Sequence, residues 1–328
     1  MAKDIKKIGV LTSGGDAPGM NAALRAVVRT CAYHNLQCVG IYRGYEGLIE
    51  HDFVSMDARS VRDIINRGGT ILKSARSERF RTKEGRKKAY DNLVAERIDG
   101  LVVIGGDGSF TGGLMLNREH DFPVIGIPGT IDNDLVGTDY TVGYDTALNT
   151  AVEAIDKIRD TASSHNRLFF IEVMGRDVGH IALNAGLGAG AEQILIPEEQ
   201  HGLERIVESL NKTKQSGKLS SIVVVAEGDK IGRSVFELKD YVDKNLEGYD
   251  VRVMVLGHMQ RGGSPSCADR VLASRMGVKA VESLMEGQSN YMVGVTHDRM
   301  VLFPFEEAIT GQSKINKELI RVSEIVTT

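Results

Sequence analysis

The chain has 328 residues, 42% of them hydrophobic and 26% charged, with a formal net charge of −4. That length exceeds what one ordinary hydrophobic core serves, so two lobes are expected. The weakly acidic balance speaks against a nucleic-acid partner recruited by bulk charge, and no uncharged apolar run approaches the length of a membrane span.

The N-terminal "MAKDIKKIGV" is charged and lacks the apolar core of a signal peptide. Short apolar runs then recur at 7–16, 37–44, 99–109, 122–130, 167–176, 191–199, 220–229 and 249–258. They are rich in Val and Ile on both faces, as buried parallel strands are, and many end in Gly, Ser, Thr or Asp. Between them, 20–34, 145–162, 203–216 and 269–286 carry apolar residues at helical spacing. Strand alternating with helix predicts a doubly wound α/β fold with mainly parallel sheets, in two Rossmann-like lobes. The groups of strands before and after 145–162 place the lobe boundary near Tyr140–Asp145. Cys31, Cys38 and Cys267 form no C-x-x-C pair, which speaks against zinc and fits reduced thiols in a cytosol.

Ligands of open α/β sheets sit at the carboxyl ends of the strands, so the residues just after each run are the candidates. "GGDGS" (105–109) follows one such run. Its glycines let backbone N–H groups approach phosphate oxygens, and Asp107 offers a hard oxygen to Mg²⁺. Read blandly, it is a strand-to-helix turn. "TSGGDAPGMN" (12–21) places Gly14 and Gly15 before a helix, as a phosphate cradle or a capped turn. Neither a Walker A loop nor G-x-G-x-x-G occurs. "PGTIDND" (128–134) sets Asp132 and Asp134 two residues apart. Carboxylates held close favour proton uptake by one of them, which suits a general base, although an Asx-rich turn has the same composition. The basic run 73–88 is read mostly as a solvated face, with Arg76 and Arg81 able to fork onto phosphates. Arg176, His258 and Arg261 close strands, whereas Arg167 and Arg252 begin them, on the wrong edge for a site in the same subunit.

Taken together, "GVLTSGGDAPGMNA", "INRGGT", "SAR", "VVIGGDGS", "PGTIDND", "GTDYT", "SSHNR", "EVMGR" and "VLGHMQRGGSP" resemble the bacterial ATP-dependent 6-phosphofructokinase family, in order, from about Ile8 to about Gly277. The resemblance implies phosphorylation of fructose 6-phosphate by ATP with Mg²⁺, in a cytoplasmic homotetramer. It implies Asp132 as the base for the 1-hydroxyl, Thr130 and Asp134 flanking the transferring group, and Arg176 stabilising charge. Asp107 would serve Mg²⁺, with ATP held by Gly15, Tyr45, Arg76, Ser77, Arg81, Gly106, Asp107, Gly108 and Ser109. The sugar phosphate would meet Thr130, Ile131, Asp132, Met174, Gly175, Arg176, Glu227, His258, Met259, Gln260 and Arg261, with Arg167 and Arg252 from an adjacent subunit. It also implies that about 259–310 rejoins 1–143 as an ATP-binding lobe, leaving 144–258 and about 311–328 as the sugar-phosphate lobe.

Pyrophosphate-dependent relatives carry Asp at the position of Gly108 and Lys at that of Gly129. Glycine at both leaves room for a nucleotide, so ATP is the expected donor. An effector site is implied at Arg25, Arg29, Asp63, Arg159, Gly190, Glu192 and Lys218. Ala58 stands where familiar members have Arg, and 216–220 is less basic than usual, so weak allosteric response is expected. A non-catalytic nucleotide sensor is the rival from another class; it would not need both Asp132 and Arg176.

Overall fold

The computed structural model describes residues 5–164, 167–199, 202–215, 220–228 and 234–326. In chain order its elements begin with β1 (Lys7–Thr12), α1 (Met20–Tyr33), β2 (Gln37–Ile41), α2 (Gly44–Glu50), β3 (Phe53–Met56), α3 (Lys83–Ala95), β4 (Gly100–Gly105), α4 (Asp107–His120) and β5 (Val124–Pro128). Then follow α5 (Tyr144–Ser163), β6 (Arg167–Val173), α6 (His180–Gly188), β7 (Gln193–Leu195), α7 (Leu203–Gln215), β8 (Ser221–Ala226), α8 (Val235–Asn245) and β9 (Asp250–Val255). The chain ends with α9 (Cys267–Met285), β10 (Tyr291–Thr296), β11 (Arg299–Pro304), α10 (Phe305–Thr310) and α11 (Lys317–Val326).

Two units result: Met1–Thr146 with Arg261–Gln312, and Ala147–Gln260 with Ser313–Thr328. The first holds a seven-stranded sheet in the order β11-β10-β5-β4-β1-β2-β3. Its centre is parallel, with Val10 opposite Val102 and Val102 opposite Ile125. Such strands are buried on both faces, which is why β4 is apolar throughout and fully buried. Antiparallel pairs close both margins, β2 with β3 and β10 with β11. On one face α9 lies along α1, where a side chain at Gly277 would come within 2.5 Å of Ala26 Cβ. On the other, Phe110 of α4 stacks on Phe305 at 5.0 Å between ring centroids.

The second unit holds a parallel four-stranded sheet, β7-β8-β6-β9. Leu168, Phe170, Val223 and Val225 of the strands pack with Leu210 of α7 and Leu238 and Val242 of α8. The architecture is the doubly wound α/β fold expected. Its eight predicted runs are β1, β2 and β4 to β9, and its four predicted helices are α1, α5, α7 and α9. One detail differs: Arg167 opens β6, but Arg252 is the third residue of β9, opposite Phe169. The pairing of β9 starts at Asp250, opposite Arg167, and the Asp250 carboxylate ties both arginines, to Arg167 Nε at 3.1 Å and Arg252 Nη2 at 2.9 Å.

Candidate active site

In the first unit the order of strands reverses beside β1, with β2 on one side and β4 on the other. A crevice at such a switch point is where α/β sheets bind ligands. The loops after β1, β4 and β5 meet there. Ser13 N donates to Ile104 O at 2.9 Å, and Gly129 N to Gly105 O at 3.0 Å. At Gly105 a Cβ would fall 2.6 Å from Ser13 O and 2.4 Å from Ser109 Oγ, so only glycine permits the loops to approach. A Cβ at Gly106 would lie 3.8 Å from Thr130 Cβ, and one at Gly15 2.7 Å from Arg261 Nη1. Arg261 Nη1 also donates to Asp16 O at 3.2 Å, so its guanidinium braces the first glycine turn.

Thr130 and Asp132 are both buried, at 8% and 7% exposure, while Asp134 is half-buried. Thr130 Oγ1 donates to Asp132 Oδ2 at 3.4 Å and accepts Asp132 N at 3.3 Å. The loop is latched from the following segment. Thr141 Oγ1 donates to Thr130 O at 2.6 Å, Asn133 Oδ1 accepts Thr141 N at 2.8 Å, and Val142 N donates to Pro128 O at 2.8 Å. Ile131 is fully buried and serves as the apolar anchor of the loop.

The other ATP-site candidates have mixed placements. Tyr45 is buried, stacked on Phe80 at 4.0 Å, with its hydroxyl donating to Ser109 O. Burial holds that phenol far above its ordinary pKa, so it stays a neutral donor and a prop for α4. Ser77 Oγ donates to Glu46 Oε2 at 2.5 Å, while Arg76 and Arg81 are exposed. Gly108 is open: a Cβ there would meet nothing within 4 Å. Sequence reasoning missed Glu46, which also pairs with Arg79, and Arg86, which grips Glu119 through two bonds of 2.7 Å and caps the carbonyls of Phe80 and Arg81. It also missed Asp269, 1% exposed, whose carboxylate accepts Gly143 N, Thr146 N and Thr146 Oγ1. Burial pushes this carboxyl above the usual range despite those donors.

In the second unit the ends of β6, β8 and β9 carry Met174-Gly175-Arg176, Glu227 and 257–260. Arg176 is exposed, at a φ of 57°, and Glu227 Oε1 accepts Arg176 N at 2.7 Å and Gly175 N at 3.3 Å. His258 and Met259 are exposed, whereas Gln260 is fully buried, its Nε2 donating to Gly257 O at 3.2 Å.

The effector candidates split. Arg25 and Arg29 line a groove of about 300 Å³ with Thr30, Tyr33, Ser274 and Glu282. Burial, then the charge of Arg29, lowers the Arg25 pKa. Asp63 is exposed and pairs with Arg62 at 2.9 Å. Arg159 binds Glu192 at 3.2 Å and the carbonyls of Ala189 and Gly190. Lys218 lies outside the described residues.

For a metal, the donor set decides the fit. Among the described residues no group of three or more His, Cys, Asp or Glu is placed to hold an ion. Magnesium needs no such cage, since it keeps several waters and takes one or two carboxylates plus substrate phosphates. Asp107, half-buried in the first turn of α4 beside Gly106, fits that pattern.

Glycine-rich turns and carboxylates gathered at the ends of parallel strands define a doubly wound α/β protein of the kinase class. The chain belongs to the phosphofructokinase family, whose model matches residues 7–284. It is 55% identical over 322 residues to an ATP-dependent 6-phosphofructokinase of Thermus thermophilus, covering 98% of this chain and 99% of the relative. It is 52% identical over 318 residues to ATP-dependent 6-phosphofructokinase 2 of Bacteroides thetaiotaomicron, covering 97% of each. Among solved structures, phosphofructokinase from Saccharomyces cerevisiae is similar with a TM-score of 0.88 and 36% identity, covering 98% of this chain and 46% of the yeast chain. A pyrophosphate-dependent phosphofructokinase from Marinobacter aquaeolei, 24% identical with a TM-score of 0.84, shares the fold. No helix of the described residues is long and apolar enough to cross a membrane.

Proposed function

We propose that the chain is an ATP-dependent 6-phosphofructokinase of glycolysis, transferring the γ-phosphoryl group of ATP to the 1-hydroxyl of fructose 6-phosphate. The observation that carries this reading is the buried Asp132 beside Thr130, held against the glycine loop that begins α4. Asp132 takes the hydroxyl proton as the sugar oxygen bonds to the γ-phosphorus and the bond to the β-phosphate oxygen breaks, releasing ADP. Phosphoryl transfer needs positioning and charge stabilisation more than covalent help, and a positioned base contributes about 10²–10⁴-fold. Arg176 serves the developing charge, and Thr130 and Asp134 flank the transferring group. Gly15, Arg76, Arg81 and 106–109 receive the nucleotide, with Tyr45 and Ser77 supporting that surface from behind.

The family reading calls for a divalent metal; Asp107 would hold Mg²⁺, which supplies positive charge to the phosphate oxygens when bound. Met174, Gly175, Glu227, His258 and Arg261 would receive the sugar phosphate, completed by Arg167 and Arg252 of a neighbouring subunit in a cytoplasmic homotetramer. In this reading 1–143 with about 259–310 is the ATP-binding lobe and the remainder the sugar-phosphate lobe. Arg25, Arg29, Asp63, Arg159, Gly190, Glu192 and Lys218 form an effector site of weak response. The test is a coupled assay with fructose 6-phosphate, Mg²⁺ and either ATP or pyrophosphate. Turnover with ATP is expected; preference for pyrophosphate, or no turnover with either, overturns the reading. Inhibition by sub-millimolar phosphoenolpyruvate contradicts the weak effector response.

A further inference from the structure

The turn that carries Arg176 is left-handed at two successive residues. Gly175 has a φ of 144° and Arg176 a φ of 57°, so a glycine and a non-glycine residue in succession occupy the left-handed half of conformational space. A non-glycine residue holds that conformation when its surroundings over-determine it. Here the surroundings come from the end of β8. Glu227 N donates to Val173 O at 3.0 Å, which fixes the acid beside the start of the turn. Its Oε1 then accepts Arg176 N at 2.7 Å and Gly175 N at 3.3 Å. The next residue, Gly228, offers no side chain because a Cβ would fall 2.1 Å from Arg176 O and 3.0 Å from Asp177 Cα. Val178 N closes the turn on Gly175 O at 3.2 Å.

We propose that Glu227 is a positioning residue for Arg176: its carboxylate, by gathering two successive backbone N–H groups, sets the left-handed turn from which the guanidinium reaches the transferring phosphoryl group. This rests on the reading of Arg176 as the charge-stabilising group. It assigns Glu227 a task separate from contact with the sugar. Burial first, and the charge of Glu227 second, push the neighbouring Glu172 carboxyl above its usual range.

The test is a double-mutant cycle on the full-length enzyme, with kcat and the KM for fructose 6-phosphate read separately and thermal unfolding as a check on folding. Glu227→Ala should lower kcat about tenfold or more in the native background, and less than about twofold when Arg176→Ala is already present. Glu227→Gln, whose amide oxygen still accepts an N–H bond, should recover most of kcat. Gly228→Ala leaves the carboxylate in place but displaces the turn, and should lower kcat with little change in KM. Additive losses in the cycle, or an effect of Glu227→Ala confined to KM, overturn the positioning role and leave the functional reading intact. Near-native turnover of Arg176→Ala overturns the charge-stabilising role of Arg176 and the positioning role with it, whereas loss of the functional reading itself would show as no turnover by the native enzyme, so the failures are distinguishable.

Discussion

The loops of the seven-stranded sheet and those of the four-stranded sheet are held in different ways. In the first unit the loop bearing Asp132 is latched at Pro128, Thr130 and Asn133 by residues 141–142, and backed by Gly105. In the second, the turn bearing Arg176 is received by Glu227 and Gly228 of one neighbouring loop, and its arginine stays exposed. The contrast fits the chemistry proposed for each. A base works best desolvated and fixed along its whole loop, whereas a cation serving developing charge needs its backbone preorganised and its head group open to the ligand. Damage to a single latch in the first unit should therefore cost stability before it costs geometry, except at Asp132 itself.

Asp132→Ser should have the largest effect of any single change in the first unit. It removes the base while the latches remain, so kcat should fall about 10²–10⁴-fold with the KM for ATP nearly unchanged. Steady-state kinetics check this; near-normal turnover would sink the assignment. Asp269→Ala should come next, and in stability. It strands the buried donors Gly143 N, Thr146 N and Thr146 Oγ1, at about 1–3 kcal/mol for each left unsatisfied. Denaturant unfolding measures it; a loss under about 1 kcal/mol would mean the segment re-pairs elsewhere.

The two glycines bearing on the phosphoryl donor separate space from charge. A Cβ at Gly108 meets nothing within 4 Å, whereas at Gly129 it would lie 3.1 Å from Ile104 Cγ2 and 3.2 Å from Met20 Cε. Gly108→Asp should thus fold normally and lower kcat/KM for ATP about tenfold or more by placing a charge beside the phosphates. Gly129→Ala should instead cost about 1–2 kcal/mol of stability through crowding. Thermal unfolding with ATP kinetics separates them, and an unstable Gly108→Asp would contradict the open space at that position.

What was legible in the sequence follows from the same physics. Buried parallel strands show as unbroken Val- and Ile-rich runs, so β1, β4 and β5 and the loops after them could be read directly. The hairpin of β10 and β11 could not. Its turn is His297-Asp298, with φ of 49° and 60°, a two-residue turn without the glycine that normally advertises one. Tyr45 was legible as a residue near the nucleotide loop but not as a buried prop, because that depends on Phe80, far along the chain and placed by folding. Asp269 gave no local signal at all. An acid in the first turn of a helix is ordinary, and only the return of the chain to Gly143 and Thr146 makes it a clamp.

The smallest predicted effect concerns pH. His180, at the start of α6, is 8% exposed and has Ser313 Oγ 2.9 Å from its Nε2. Burial lowers its pKa, opposed in part by the charge of Glu198. A depressed histidine pKa means that the unfolded chain binds the proton more tightly than the folded one. Its contribution to stability is therefore complete above the ordinary histidine value of about 6.5 and is lost as pH falls through it, until the folded ring also takes the proton. His180→Gln should flatten that part of the curve, so that unfolding temperature falls less between about pH 7 and pH 5.5 than in the native protein. Parallel thermal scans across that window check it. Equal slopes would mean that Glu198 already compensates the buried charge, and that the second unit tolerates a cation at α6 as readily as it tolerates one at the exposed Arg176.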